Sequence, residues 1–154
     1  MGFKTMFGND SSTDFKYREA VTTYKFISDL MIVMAKYNKK VDVLKTNTGD
    51  LFGYDILLNC DNNMKHIQLK TTTKTSSWEI RNSLLKDPYG EVIIIYLQFK
   101  SEEEWNFQYR ILDKQKIPDI NLLPDTGKTK ITQTMLEPYR EIDHLAYYLF
   151  FKNE

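Results

Sequence analysis

The run Val92-Ile93-Ile94-Ile95-Tyr96 constrains this chain most. Branching at Cβ favours a pleated strand. Apolar residues without alternation mean that both faces of the strand are buried. Such a strand, read here over Glu91 to Phe99, lies in the middle of a sheet with helices on both sides. The expectation is therefore an α/β domain, a mixed central β-sheet flanked by helices. With 154 residues, one domain with a sizeable core is the natural count.

The other elements follow from period and punctuation. Residues 1–13 read as a polar, flexible N-terminal arm, and 14–154 as the domain. Ser11-Ser12-Thr13-Asp14 supplies N-cap candidates for a helix from Phe15 to Tyr37. On it Ala20, Tyr24, Ile27, Met31 and Met34 recur at spacings of three and four, which predicts that this stripe faces the core. Val41 to Thr46 reads as a short strand. Trp78 to Lys86 is predicted as a helix with Ile80, Leu84 and Leu85 inward. Trp105, Phe107, Tyr109 and Ile111 alternate with polar neighbours as in a half-buried strand. Ile131 to Leu136 suggests another strand, and a last helix opens at Pro138 with Ile142, Leu145, Ala146 and Leu149 inward.

Between these lies a predicted hairpin. Its arms are Tyr54 to Cys60 and Met64 to Thr71, joined through Asp61-Asn62-Asn63, where asparagine tolerates the left-handed backbone of a tight turn. A turn at Asn62-Asn63 would set Asp55 opposite Lys70, with Cβ atoms about 5 Å apart and Gln68 a diagonal neighbour at roughly 7–8 Å. A carboxylate, an amide oxygen and an ammonium would then share one sheet face. Carboxylate and carbonyl oxygens are hard donors suited to Mg²⁺, or Mn²⁺ in its place. A lysine beside such an ion can hold a phosphate oxygen or favour hydroxide. Glu19 sits about 100° from the centre of the apolar helix stripe, at a border from which it could reach round the sheet edge. Asp14 or Asp29 could fill the same role, and Asp50, in the loop before Tyr54, is a further candidate.

A helix with an acid, a strand with Asp, a hairpin turn, then Gln68-Leu69-Lys70 resembles the PD-(D/E)xK nuclease superfamily, the restriction-endonuclease-like fold, over roughly residues 14 to 99. The resemblance implies a metal-dependent DNA endonuclease, often a homo-oligomer. Asp55 would match its metal-binding Asp, Gln68 the second ligand position, Lys70 the catalytic lysine and Glu19 the acid of the first helix. Tyr54 replaces the nominal Pro, and Gln68 is a neutral variant of the second acid.

Lysine plus arginine and aspartate plus glutamate both number 21, so no global charge draws the chain to nucleic acid. From Lys65 to Lys86, however, five basic residues meet one acid, Glu79. Lys65, Lys74, Ser76, Ser77 and Arg81 are therefore candidate DNA contacts. A single cysteine excludes an intrachain disulfide and suggests a reducing, cytoplasmic setting. Apolar runs of six residues are too short to cross a membrane, and no secretory signal is visible. Two histidines and one cysteine give little basis for zinc. Thr126-Gly127-Lys128-Thr129 lacks the upstream glycine of a P-loop, since Leu122 stands there. His66 reads as a strand-edge histidine. Two other functions fit the same residues. One is a nucleic-acid-binding module without catalysis, permitted by neutral Gln68. The other is a protein-interaction domain using Tyr147, Tyr148, Phe150 and Phe151.

Overall fold

The computed structural model describes residues 2–8, 12–46 and 53–152. Numbered in chain order, its helices are α1 (Phe3–Phe7), α2 (Ser12–Lys36), α3 (Asn82–Lys86) and α4 (Ile142–Phe150). Its strands are β1 (Asp42–Lys45), β2 (Ile56–Cys60), β3 (Asn63–Thr72), β4 (Trp78–Arg81), β5 (Gly90–Phe99), β6 (Trp105–Ile111) and β7 (Lys128–Ile131).

β5 takes the central place that its β-branched run demands. It pairs in parallel with β3 and antiparallel with β6, in a mixed sheet ordered β1-β2-β3-β5-β6. Ile93, Ile95 and Leu97 join the core under α2 and α4, while Val92 and Ile94 join a second core with Ile80, Leu84 and Leu85. Both faces are thus covered, and the expected α/β arrangement of a mixed central sheet with flanking helices holds. Parallel pairing of β3 with β5 requires a crossover, and β4 with α3 supplies it. Cys60 ends β2 as a buried packing residue.

Several expectations change. The Trp78 to Lys86 helix is instead β4 followed by the five-residue α3. Trp78, Ile80 and their neighbours pair antiparallel with β7, about fifty positions away in sequence, so local pattern could not reveal the pairing. Ile131 accordingly ends β7, and residues 133–135 form a single 3-10 turn. Asn82 anchors the loop before β7: its backbone N–H donates to Gly127 O, its Nδ2 donates to Thr126 O, and its Oδ1 accepts from Thr129 Oγ1. That loop is structural. The last helix begins at Ile142, four residues after Pro138, and buries Leu145, Ala146 and Leu149 as expected.

The N-terminal segment carries more structure than a loose arm. Phe3 and Phe7 of α1 stack on Trp105, Arg18 Nη1 donates to Phe7 O at 2.7 Å, and Thr5 donates to the Glu102 carboxylate. The core face of α2 also differs from the predicted stripe. Arg18, Thr22, Phe26, Leu30, Val33 and Met34 are buried, whereas Tyr24 is 60% and Met31 46% exposed. The reason is that polar residues occupy the sheet-facing positions near the start of α2. Thr22 Oγ1 bonds to Glu19 O and to Thr71 Oγ1, both at 3.1 Å, so it is satisfied where an apolar residue was expected.

Candidate functional site

The hairpin forms, with a shifted turn. Asp61 and Asn62 both have positive φ, 51° and 64°, which makes a two-residue turn of the primed kind. Cys60 therefore pairs with Asn63, and Leu57 with His66. The last pair of β2 with β3 is Ile56 with Ile67, and Asp55 N donates to Ile67 O at 2.8 Å. The register is thus shifted by two residues, and Asp55, just before β2, meets Ile67 and Gln68 and does not stand opposite Lys70.

β2 stops while β3 continues. Beyond Ile67, no strand among the described residues pairs with that edge of β3. Asp55 takes over there: its Oδ2 accepts from Leu69 N at 3.0 Å and from Gln68 Nε2 at 2.7 Å. A side-chain carboxylate supplies the acceptor that a continuing strand would have supplied. Just before it, Gly53 adopts φ of 82° with its Cα packed against the Arg81 side chain; a Cβ there would come within 3.0 Å. Glycine suits this bend because the left-handed region is nearly free of strain for it. Thr46 fixes the same segment from β1, its N–H donating to Asp55 O at 3.0 Å.

Around this open edge lies a cleft of about 490 Å³ whose walls come from α2, β1, β2 and β3. Glu19, Asp55, Gln68 and Lys70 all line it. So do Lys16 and Lys45, which sequence reasoning missed. Lys16 lies one helical turn before Glu19 and was in principle readable from that spacing. Lys45 reaches the cleft only through the pairing of β1 with Ile56, which is not local. Its ammonium also sits 4.5 Å from the centre of the Tyr24 ring. Lys70 makes no ion pair among the described residues. Two carboxylates, three ammonium groups and the hydroxyls of Thr23, Thr46 and Thr71 thus face one space.

The other singled-out residues disperse. Lys65 lies toward the far end of β3, 3.8 Å from Glu91, with only 13% of either side chain exposed. It is removed from the cleft and pairs with Glu91. Lys74, Ser76 and Ser77 are exposed in the segment that leaves β3. Ser76 donates to Ser77 O, and the segment runs into β4. Arg81 ends β4 beside Gly53. Asp29 pairs with Lys25 at 2.7 Å, and Asp14 faces a different groove. Asp50 lies outside the described residues. Of the C-terminal aromatics, Phe150 is buried and Tyr148 and Phe151 are partly buried, which leaves Tyr147 as the exposed one.

His66 is not a plain edge histidine. Its Nδ1 bonds to Asp87 Oδ2, and its ring stacks on Tyr54 at 4.6 Å. Nearby, burial pushes the Glu91 carboxyl above its ordinary range, against the opposing pull of Lys114 and Lys65. Burial likewise lowers the Lys114 ammonium. The Tyr148 hydroxyl is pushed up to about 12 by burial, with Glu91 adding to the shift.

Among the described residues, no three His, Cys, Asp or Glu side chains form a metal centre by themselves. Two carboxylates with an amide are nonetheless a donor set that Mg²⁺ accepts, because this ion usually keeps several waters and needs only one or two carboxylates. As placed, Gln68 presents its amide N–H to Asp55, and a half-turn of the amide would present the oxygen instead. No helix among the described residues is long and apolar enough to cross a membrane. Comparison with family models, with curated proteins and with solved structures found no match.

Proposed function

We propose that the chain is a metal-dependent DNA endonuclease with a restriction-endonuclease-like fold, and that the open edge of β3 is its active site. The observation that carries this reading is the meeting of Glu19, Asp55, Gln68 and Lys70, from three different elements, around one cleft. The order of elements supports it further: a helix bearing an acid, a hairpin bearing the aspartate and the Gln-x-Lys triplet, a crossover, then a parallel strand.

In this mechanism Asp55, Glu19 and the Gln68 oxygen would hold Mg²⁺, which would supply Lewis-acid polarisation of a phosphate and a lowered cost of hydroxide. Lys70 places its ammonium against the negative charge that builds on the pentacovalent phosphate, where a fixed charge is worth more than in bulk water. Lys16 and Lys45 hold neighbouring phosphates of the strand. The hydrogen bond from Leu69 N keeps the Asp55 carboxylate aimed while the Gln68 amide turns.

The test is cleavage of supercoiled and branched DNA with Mg²⁺ or Mn²⁺ by the wild type and by Lys70→Ala. Metal-dependent cutting that the substitution abolishes supports the reading. Cutting that survives Lys70→Ala and Asp55→Asn removes these residues from the chemistry. A second reading is a nucleic-acid-binding module without catalysis. It is favoured by the amide of Gln68, which satisfies Asp55 with no cation present. It expects DNA retention without cleavage at every metal concentration.

A further inference from the structure

α2 carries an apolar stripe on the side turned away from the core. Tyr17, Ala20, Tyr24, Ser28, Met31 and Ala35 are all exposed, and they fall within about 40° of one line along the helix. No charged residue interrupts this line, although the outer face of a solvated helix is ordinarily its most charged one. Large and small side chains alternate along it. Ile32, 57% exposed, adds to one flank.

We infer that this stripe is the contact between two copies of the chain, with their α2 helices packed antiparallel. The alternation selects that arrangement. Crossing near residue 26 sets Tyr17 against the partner's Ala35, Ala20 against its Met31 and Tyr24 against its Ser28. Every large side chain then meets a small one, as closely packed helices require. A parallel pair would oppose tyrosine with tyrosine and alanine with alanine.

Charge points the same way. Asp14, in the first turn, and Lys36, in the last, lie on the same flank of α2. Antiparallel pairing brings each Asp14 to a Lys36 of the other copy, twice by symmetry, whereas parallel pairing puts the two flanks on opposite sides and joins neither pair. Lys36 is 64% exposed and lies 4.0 Å from Asp143 of its own chain, a loose contact that leaves it able to reach a second acid. Beside Asp14 runs a groove of about 880 Å³, lined in part by the apolar Phe3, Met6, Tyr17 and Val21 and rimmed by Asp14 and Glu103. The partner's Ile32 and Lys36 match it in both polarity and charge. The stripe is roughly 27 Å long. With the groove, it makes an interface near the lower limit of about 1,000 Å² for specific association, so the dimer is weak and concentration-dependent. The same symmetry holds the two clefts on one side of the dimer, roughly 20 Å apart along the helix axis. This inference stands whether or not the cleft is a nuclease site.

The test is sedimentation velocity of the full chain, without DNA or metal, from about 1 to about 200 µM. A reversible monomer–dimer equilibrium is expected. Ser28→Arg should weaken it at least about tenfold, with helical circular dichroism unchanged; Ala35→Arg serves if that variant does not fold. Lys36→Asp should also weaken the dimer, and Asp14→Lys added to it should restore association. A monomer throughout the range assigns the stripe to some other partner and overturns the inference, as does a dimer indifferent to Ser28→Arg and Ala35→Arg. A double variant no tighter than Lys36→Asp overturns the antiparallel arrangement.

Discussion

At the start of β3, Lys65 sits 3.8 Å from Glu91 and His66 bonds to Asp87. Further along the same strand, Lys70 makes no ion pair among the described residues and faces the cleft with Glu19 and Asp55. The side chains at the two ends are of the same chemical kinds. The difference lies in the neighbours. At the start, β2 on one side and the turn into β5 on the other close around the strand, so its charges find partners within the protein. At the end, β2 has stopped, and the charges are arranged around a space large enough for a ligand. What a charged residue is for, in this strand, depends on whether the next strand is still present.

On the proposed function, activity should separate the two ends most sharply. Asp55→Asn and Lys70→Ala should each lower the initial rate of Mg²⁺-dependent DNA cleavage by at least about 100-fold, while Lys65→Ala should leave that rate within about threefold. Equal loss from all three would break the comparison. Next in size is Gln68→Glu. It would set a second carboxylate beside Asp55, where the amide now lies 2.7 Å away. In a chelator this should cost about 2–3 kcal/mol of stability, the penalty of an uncompensated buried charge. Added Mg²⁺ should recover it. Thermal melting with and without the ion reads both halves, and a loss that Mg²⁺ does not repair would count against a metal at this end.

His66→Ala should cost about 1–2 kcal/mol in denaturant unfolding, because it removes the bond to Asp87 and the stack on Tyr54. It should not alter the metal dependence of cleavage. The smallest effect is expected at Glu91. Its carboxyl is raised by burial, so folding favours the protonated form. Stability from this group is fully present below the unfolded carboxylate range and lost as pH rises through the folded value. Glu91→Gln should therefore be slightly more stable than wild type at neutral pH, with the gain fading as the solution is acidified. A loss at neutral pH would mean that pairing with Lys65 and Lys114 outweighs desolvation.

The parts of the fold legible in the sequence are those fixed by local pattern. The run at Val92 to Ile95 announced a strand buried on both faces, and it is one. Asn62 marked the hairpin turn, although which two residues occupy its corners depended on Asp61 also adopting positive φ. Asp55, Gln68 and Lys70 still converge, because the Asp55 carboxylate reaches Gln68 and Leu69 past the end of β2. The failures were non-local. β4 read as helix because β7, which pairs with it, is remote in the chain. Lys45 was invisible as a cleft residue for the same reason. On α2 the apolar period was real but marked the wrong face near the helix start, where Arg18 and Thr22 face inward. Arg18 is bonded through Nη1 to Phe7 O, with its Nε left without a partner among the described residues, and Thr22 is bonded to Thr71. A period finds apolar side chains without saying what they meet, and here part of the stripe meets solvent.

Asp55 has one more consequence. An unpaired strand edge offers its N–H groups to any other extended chain, and that is a route to aggregation. The Asp55 carboxylate occupies the Leu69 N–H, so it blocks the first step of such pairing at the point where β2 ends. Removing the carboxylate altogether would uncover that donor and lose a buried acceptor, costing about 1 kcal/mol or more. Asn keeps an oxygen for the Leu69 N–H; Ala does not. Asp55→Ala is therefore expected to precipitate more readily than Asp55→Asn during expression and concentration. The Asp55 carboxylate would then also keep the protein in solution.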